Sequence, residues 1–395
     1  MSLRFSEEVT VIASLFIILF LGVADNQVLS PLLPAIRAQF GKSSAEVGLL
    51  FTGYSLSAGI SVLVWGPLSD IFGRKRGLLN GLILFCAGSA VSYLSSGFLT
   101  LLAGRILTGI GASMLSLNSI SYAADYFPYA KRGWAMGSIF SSYFAALILG
   151  VPIGSWVGDQ FGWNLVFGVM GIIALALILA VQLMLPSIAY KNVDARRKPP
   201  SEYIRQYIGF LKVQTSAGGL LSSLFASAGT MGFLAFLGVW LHDSFGISGS
   251  RVGLVFLIAG AAALLASPLA GWIADRIGKR FQFVASNVAL AVLLLILPTL
   301  HWGGVLFGIF GLISLSAAFR QGPMEAVLTE IVTSESRGTF VALKNSFSQL
   351  GIGLAALFSG ILFERNGYFA VCFLGSSACL LSAVAMFFTF RQRNL

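Results

Sequence analysis

Hydrophobic positions along this chain gather into long runs, and short polar or glycine-containing clusters punctuate them. A helix needs about 20 apolar residues to cross about 30 Å of hydrocarbon. By that measure the runs predict twelve crossings, at 10–36, 45–67, 77–95, 98–124, 134–157, 164–186, 217–241, 250–271, 281–299, 303–328, 339–363 and 369–390. Pro186 to Thr215 is the one long polar stretch, and it parts the crossings six and six. The expected architecture is an all-α membrane protein with one six-helix bundle at 1–186, a connector at 187–215 and a second six-helix bundle at 216–395.

The polar punctuation repeats. Gly66-Pro-Leu-Ser-Asp-Ile-Phe-Gly-Arg-Lys-Arg76, after the second run, returns 205 residues later as Gly271-Trp-Ile-Ala-Asp-Arg-Ile-Gly-Lys-Arg280. The same shift places Phe40-Gly41 on Phe245-Gly246, Asp125 on Glu330, Arg132-Gly133 on Arg337-Gly338, Asp159 on Glu364 and Gly162 on Gly367. One gapless register therefore joins loops on both membrane faces. The two halves read as parallel repeats, an arrangement that puts a substrate site near the midplane between them. In the repeated turn, Gly66 and Gly73 allow close approach and a sharp reversal, Asp70 can accept from free amides at a helix N-terminus, and Arg74, Lys75 and Arg76 favour the cytoplasmic leaflet.

Composition removes the soluble alternatives. Hydrophobic residues make up 57% and charged residues 10%, where a soluble domain has about 25% charged. The net charge of +10 invites a polyanionic partner, but its distribution points elsewhere. In a twelve-crossing layout Arg37, Lys42, Arg251 and Arg365 lie on one side, Arg105 and Arg320 lie within crossings, and the other basic residues share the opposite side. The positive-inside rule then puts both termini in the cytoplasm, and the charge reports topology, not nucleic acid. Cys86, Cys372 and Cys379 fall inside crossings without metal-like spacing, so they are expected to be packing groups, with no metal and no cofactor. The first run lacks a small-residue cleavage site and reads as a retained helix.

A charge inside a crossing costs at least about 2.5–3.5 kcal/mol, which makes each one a functional candidate. Asp25, Arg105, Arg320 and Glu325 qualify, with Lys344 nearer an end. At 1.5 Å per residue, Asp25 and Arg105 reach similar depths and can pair. Such a pair is either a static bridge between helices or a switch in which movement of Arg105 lets Asp25 take up and release a proton.

Four stretches carry a family resemblance. The repeated turn resembles the loop signature G-x-L-x-D-x-x-G-R-[RK] of the major facilitator superfamily. Leu101-Leu-Ala-Gly-Arg-Ile-Leu-Thr-Gly-Ile-Gly111 is similar to that family's helix 4 motif R-x-x-Q-G-x-G, with Thr108 in place of Gln. Pro31-Leu-Leu-Pro34 looks like the P-x-x-P of its twelve-helix drug:proton antiporter branch. Gly150-Val-Pro-Ile-Gly154 resembles the antiporter motif G-P-x-x-G-G in the form seen in arabinose-efflux-like exporters, with a Val inserted and Ser155 replacing a Gly.

The resemblance implies alternating access and proton-coupled export of an amphipathic small molecule by a monomer in the bacterial inner (plasma) membrane, surrounded by lipid. Asp25 would be the proton site and Arg105 its modulator. Gly66, Asp70, Gly73, Arg74, Asp275 and Lys279 would lock a gate: Arg74 meets Asp125, Asp70 caps the eleventh crossing near Ser336 to Gly338, and Asp275 faces the start of the fifth. Glu330 matches Asp125 in the second half, and Gly150, Pro152 and Gly154 would make a close-packed hinge and proton seal. Asn26, Tyr54, Asn118, Tyr143, Phe233, Trp240, Arg320 and Asn345 are the candidate substrate contacts.

Two other transport readings stay open, an organic-anion importer or facilitator anchored by Arg320 and a lipid or lysolipid carrier. Arg320 either binds an anionic group in a cavity or pairs with Glu325. An enzyme is not expected, because no crossing holds a nucleophile–base pair, a metal set or a phosphate loop. In the connector, Lys191 and Arg196-Arg197-Lys198 precede Tyr203 to Lys212, which is either an amphipathic helix on the inner leaflet or a plain tether.

Overall fold

The computed structural model of the protein describes residues 2–187, 200–333 and 336–391. The side chain of Asp70, Lys191 and the Arg196-Arg197-Lys198 cluster lie outside the described residues, so the expectations placed on them do too. Ten described helices are long and apolar enough to cross a membrane. One of them continues for 51 residues from Arg337 to Phe387 and turns at Gly367 (φ 73°, ψ −173°), so it crosses twice. Arg74–Tyr93, made more polar by its basic first turn, supplies the remaining crossing of twelve.

Numbered along the chain, span 1 is Ser2–Gln27 continued by Leu29–Phe40, span 2 is Ser44–Phe72, span 3 Arg74–Tyr93, span 4 Phe98–Tyr126, span 5 Tyr129–Phe161 and span 6 Trp163–Met184. A connecting helix, Pro200–Lys212, leads to span 7 (Gln214–Phe245), span 8 (Gly249–Ile277), span 9 (Lys279–Ile296), span 10 (Gly304–Glu330), span 11 (337–366) and span 12 (368–391). Several spans outrun their apolar cores. Span 5 has 33 residues where the hydrophobic run suggested 134–157, because backbone hydrogen bonding continues beyond the hydrocarbon until Pro128 and Gly162 stop it.

The duplication is written into the backbone. The left-handed glycines fall into three pairs 205 residues apart: Gly41 with Gly246, Gly73 with Gly278, and Gly162 with Gly367. Gly73 (φ 91°, ψ 146°) and Gly278 (φ 91°, ψ 133°) end spans 2 and 8 in a conformation closed to residues bearing a Cβ. No described non-glycine residue has positive φ.

Prolines shape the spans by withholding donors. Span 1 breaks at Val28, just ahead of Pro31 and Pro34. Pro323 in span 10 leaves the Phe319 carbonyl without its helical donor, and Gln282 Nε2 of span 9 donates to it at 2.9 Å. Span 5 carries a π turn at Ala146–Gly150, closed by the Val151 N–H on the Ala146 carbonyl five residues back. Such a turn takes in one extra residue, so the Val inserted at 151 is absorbed. Gly154 and Gly158 keep their places against Val28 and Leu32 of span 1.

The halves meet along spans 2 and 11 and along spans 5 and 8. On the face away from the termini the seam is closed. Arg37 of span 1 and Asp243 of span 7 form a forked ion pair at 2.5 and 2.8 Å, and Ser30 Oγ donates to the Leu234 carbonyl at 2.5 Å. Asp159, at the end of span 5, accepts from the Ser250 N–H in the first turn of span 8 at 2.7 Å. Glu364, at the end of span 11, accepts from the Ala45 N–H in the first turn of span 2 at 3.3 Å. Asp159 and Glu364, like Ala45 and Ser250, are 205 residues apart, so a crosswise pair of helix caps joins the halves with the symmetry of the repeat.

On the face that carries the termini, spans 5 and 8 diverge. Gly253 and Gly260 of span 8 press on Ser155, Pro152, Leu147 and Ile148 of span 5. Eleven residues further along the same helical faces, a Cβ on Gly137 or on Gly271 would meet nothing within 4 Å. Spans 2 and 11 stay in touch as far as Gly66 and Ala342, where a Cβ on the glycine would lie 3.7 Å from the alanine.

The crosswise caps differ in strength. Asp159→Ala should raise the share of molecules open on the closed face roughly threefold to tenfold. Glu364→Ala should raise it less, given its longer bond. The spin-label distance between positions 38 and 244 measures both.

Candidate functional site

Asp25 and Arg105 meet inside the N-terminal half. Their side chains are both 0% exposed, and Nη1 of Arg105 donates to the two carboxylate oxygens of Asp25 at 2.9 and 2.8 Å. The guanidinium lies over the Tyr54 ring at 4.8 Å and the Phe167 ring at 5.2 Å, so spans 1, 2, 4 and 6 all contribute to its cage. Gly109 brings spans 2 and 4 close enough for this, since a Cβ there would sit 3.0 Å from the Tyr54 carbonyl carbon. Nε and Nη2 of Arg105 have no hydrogen-bond partner among the described residues. Thr108 turns back on its own helix, donating to the carbonyls of Gly104 and Arg105, and stays out of the pair.

Stability does not account for this arrangement. A buried ion pair is often matched or bettered by apolar side chains of the same volume, by about 1–4 kcal/mol. With two guanidinium donors unpaired, the pair is further from the geometry that would offset its desolvation. Two opposite charges sealed between spans 1 and 4 therefore mark a functional candidate and not a packing device.

The second half repeats the link with different chemistry. Residue 230, 205 positions after Asp25, is Thr230 on span 7. Its hydroxyl accepts from Nη2 of Arg320 on span 10 at 2.6 Å, while Nη1 of Arg320 points to Asn287 Oδ1 at 3.4 Å and Cys379 Sγ at 3.9 Å. Both halves thus tie their first and fourth spans through the same register position, with a carboxylate in one and a neutral hydroxyl in the other.

A family model for the Major Facilitator Superfamily matches residues 15–216 and 219–394. This chain belongs to that superfamily. The chain is similar to the uncharacterized MFS-type transporter YbcL of Bacillus subtilis (strain 168), with 26% identity covering 96% of this chain and 95% of the relative. Its fold is that of a bacterial homolog to the human lysosomal transporter Spinster in an inward-facing and occupied conformation, at TM-score 0.74, 19% identity and 97% and 96% coverage of the two chains. It is also that of a D-xylose–proton symporter, at TM-score 0.76, 19% identity and 96% of each chain. The protein is a multi-pass membrane transporter.

Two of the ion pairs expected at the gate recur at equivalent places in the two halves. Arg74 Nε meets Asp125 at 3.3 Å and Lys279 Nζ meets Glu330 at 2.8 Å, two equivalent pairs in the repeat. Arg74 also bonds to the Ser69 hydroxyl. Asp275 is not brought to the start of span 5: it is exposed, without a hydrogen bond or ion pair among the described residues, because spans 5 and 8 have parted at that end. Gly150 and Gly154 pack on Ala24 and Val28 of span 1, and Pro152 against Gly253 of span 8.

The candidate substrate contacts are not gathered in one place. Tyr54 is taken up by Arg105. Asn118 is buried against Gly77 of span 3, its Nδ2 bonded to the Met114 carbonyl. Phe233 is buried near Phe310, and Trp240 stacks on Tyr368 at 4.5 Å. Arg320 is 4% exposed and its hydrogen-bond partners belong to its own half. Asn26 and Asn345 are half-buried, and Tyr143 is 37% exposed. Glu325 pairs with Lys344 at 2.6 Å, not with Arg320.

Sequence reading missed Thr230, the Arg37–Asp243 fork and the roles of Asp159 and Glu364. Applying the 205-residue shift to Asp25 would have found the first, and the aligned acids at 159 and 364 already carried the signal for the last.

Proposed function

We propose that this transporter exports an amphipathic small molecule in exchange for protons, as a monomer working by alternating access, with Asp25 carrying the proton. The single observation behind this reading is the fully buried Asp25–Arg105 pair, which joins spans 1 and 4 at a net cost that packing alone does not repay. The motifs of spans 1, 4 and 5 supply the direction of transport. The face carrying the termini is taken as cytoplasmic, from the basic residues that border it.

In this scheme the closed seam at Arg37–Asp243 keeps the far side shut while the near side opens between spans 5 and 8. Substrate enters there, and separation of Arg105 from Asp25 lets the carboxyl bind a proton as the halves rock. Arg320, bound to Thr230 and Asn287 within its own half, lends no support to an anion-anchored importer.

The test is flux in proteoliposomes under an imposed pH gradient, with ethidium as the probe and pyranine reporting internal pH. One pH unit supports about tenfold accumulation in one-for-one exchange. Wild type should approach that value, and Asp25→Asn should fall to none while still allowing downhill movement. Equal gradient-driven accumulation by both proteins would rule Asp25 out as the proton carrier.

A further inference from the structure

The connecting helix Pro200–Lys212 presents three different faces. Tyr203, Tyr207 and Phe210 share one helical face, and of these Tyr207 and Phe210 pack on the apolar cluster of the C-terminal half around Leu220, Met324 and Phe340. About 100° round the axis, Ile204, Ile208 and Leu211 form a second face, exposed at 57%, 47% and 47%. A further 100° round, Arg205 and Lys212 stand exposed on a third. A helix with its apolar stripe unpartnered, its basic ridge beside that stripe and its remaining side against protein matches one lying flat in a lipid interface, with acyl chains below and headgroups alongside. Residues 191–212 hold six basic and two acidic side chains, a balance that selects an anionic surface.

The inward face spans the seam. Pro67 in span 2 has no N–H for the carbonyl of Leu63, four residues earlier. The Tyr207 hydroxyl donates to that freed oxygen at 3.4 Å, across to the N-terminal half. One turn on, the Phe210 ring meets Phe340 of span 11 edge-on at 5.2 Å, in the C-terminal half. One short helix thus holds both sides of the contact between spans 2 and 11, the part of the seam still closed on the face that carries the termini.

We propose that the connecting helix is a clasp worked by anionic lipid: phospholipid headgroups bind Arg205 and Lys212 while Ile204, Ile208 and Leu211 enter the acyl region, and the seated helix holds spans 2 and 11 together through Tyr207 and Phe210. This goes beyond the transport reading, and its readouts do not involve transport.

The full chain is reconstituted in phosphatidylcholine vesicles with and without about 30 mol% phosphatidylglycerol. Amide exchange over 200–212 should slow roughly tenfold with the anionic lipid, and R205Q/K212Q should abolish the difference. Exchange that is the same in both vesicles, or a lipid effect that persists in R205Q/K212Q, overturns the lipid site. Spin labels at positions 72 and 338 report the seam. Their distance distribution should narrow with anionic lipid in wild type and stay broad in Tyr207→Phe and Phe210→Ala. Narrowing in both variants equal to that of wild type overturns the clasp.

Discussion

Arg105→Ala should destabilise the protein by about 3–5 kcal/mol, the largest single-residue effect expected on stability. The cost comes from what is left behind and not from a strong bond lost: Asp25 would remain fully buried with no cation beside it. The Tyr54 and Phe167 rings that flank the guanidinium would also face a cavity. Asp25→Leu/Arg105→Met should therefore recover most of the loss, to within about 1–2 kcal/mol of wild type, because it removes both charges and refills the space. Thermal unfolding in detergent, run as a double-mutant cycle, measures both values. The recovered double variant should still fail to accumulate substrate under a pH gradient. If Arg105→Ala proved as stable as wild type, the pair would have to be open to water.

Gly238→Leu should prevent the far face from closing and abolish transport while leaving insertion intact. A Cβ on Gly238 would stand 2.8 Å from the Ser30 carbonyl carbon and 3.0 Å from Pro31 Cα, both backbone atoms of the other half that cannot swing aside. The Gly238 N–H also donates to Ser30 Oγ at 3.3 Å, so a larger residue pushes apart the point where spans 1 and 7 are tied. The labels at positions 38 and 244 should separate by several ångströms, and turnover should drop to background. Unchanged distance and turnover would mean that this contact is not part of the cycle.

The duplication was readable from sequence because it rests on backbone geometry that few residues satisfy. Gly73 and Gly278 adopt the same positive φ, and a turn needing that conformation keeps its glycine and its spacing. The pairing of Asp25 with Arg105 was readable for a related reason, since charges inside an apolar run are rare and two at one depth have few alternatives. The aromatic contacts were not readable. Trp240 and Phe233 sit in runs that are apolar all round, so no periodicity says whether a ring meets substrate, lipid or a neighbour such as Tyr368. The direction of Arg320 depended on Asn287 and Cys379, on spans 33 and 59 residues away. The place of Asp275 was not readable either: its distance from span 5 depends on how far spans 5 and 8 part at that end, which no residue pattern within either span encodes.

Span 5 is a jointed rod. Its wide turn at Ala146–Gly150 is followed at once by Pro152, which cannot donate a backbone hydrogen bond, so two consecutive weak places lie in the middle of a helix that forms half a seam. The part from Val151 to Phe161 is held by both span 1 and span 8, whereas Tyr129–Ala145 keeps its packing on span 1, with Lys131 paired to Glu8 at 2.9 Å, and parts from span 8 by Gly137. The joint thus separates a stretch held on two sides from one held on one. The opening on the face that carries the termini begins at that joint, where span 5 starts to give up its hold on the other half.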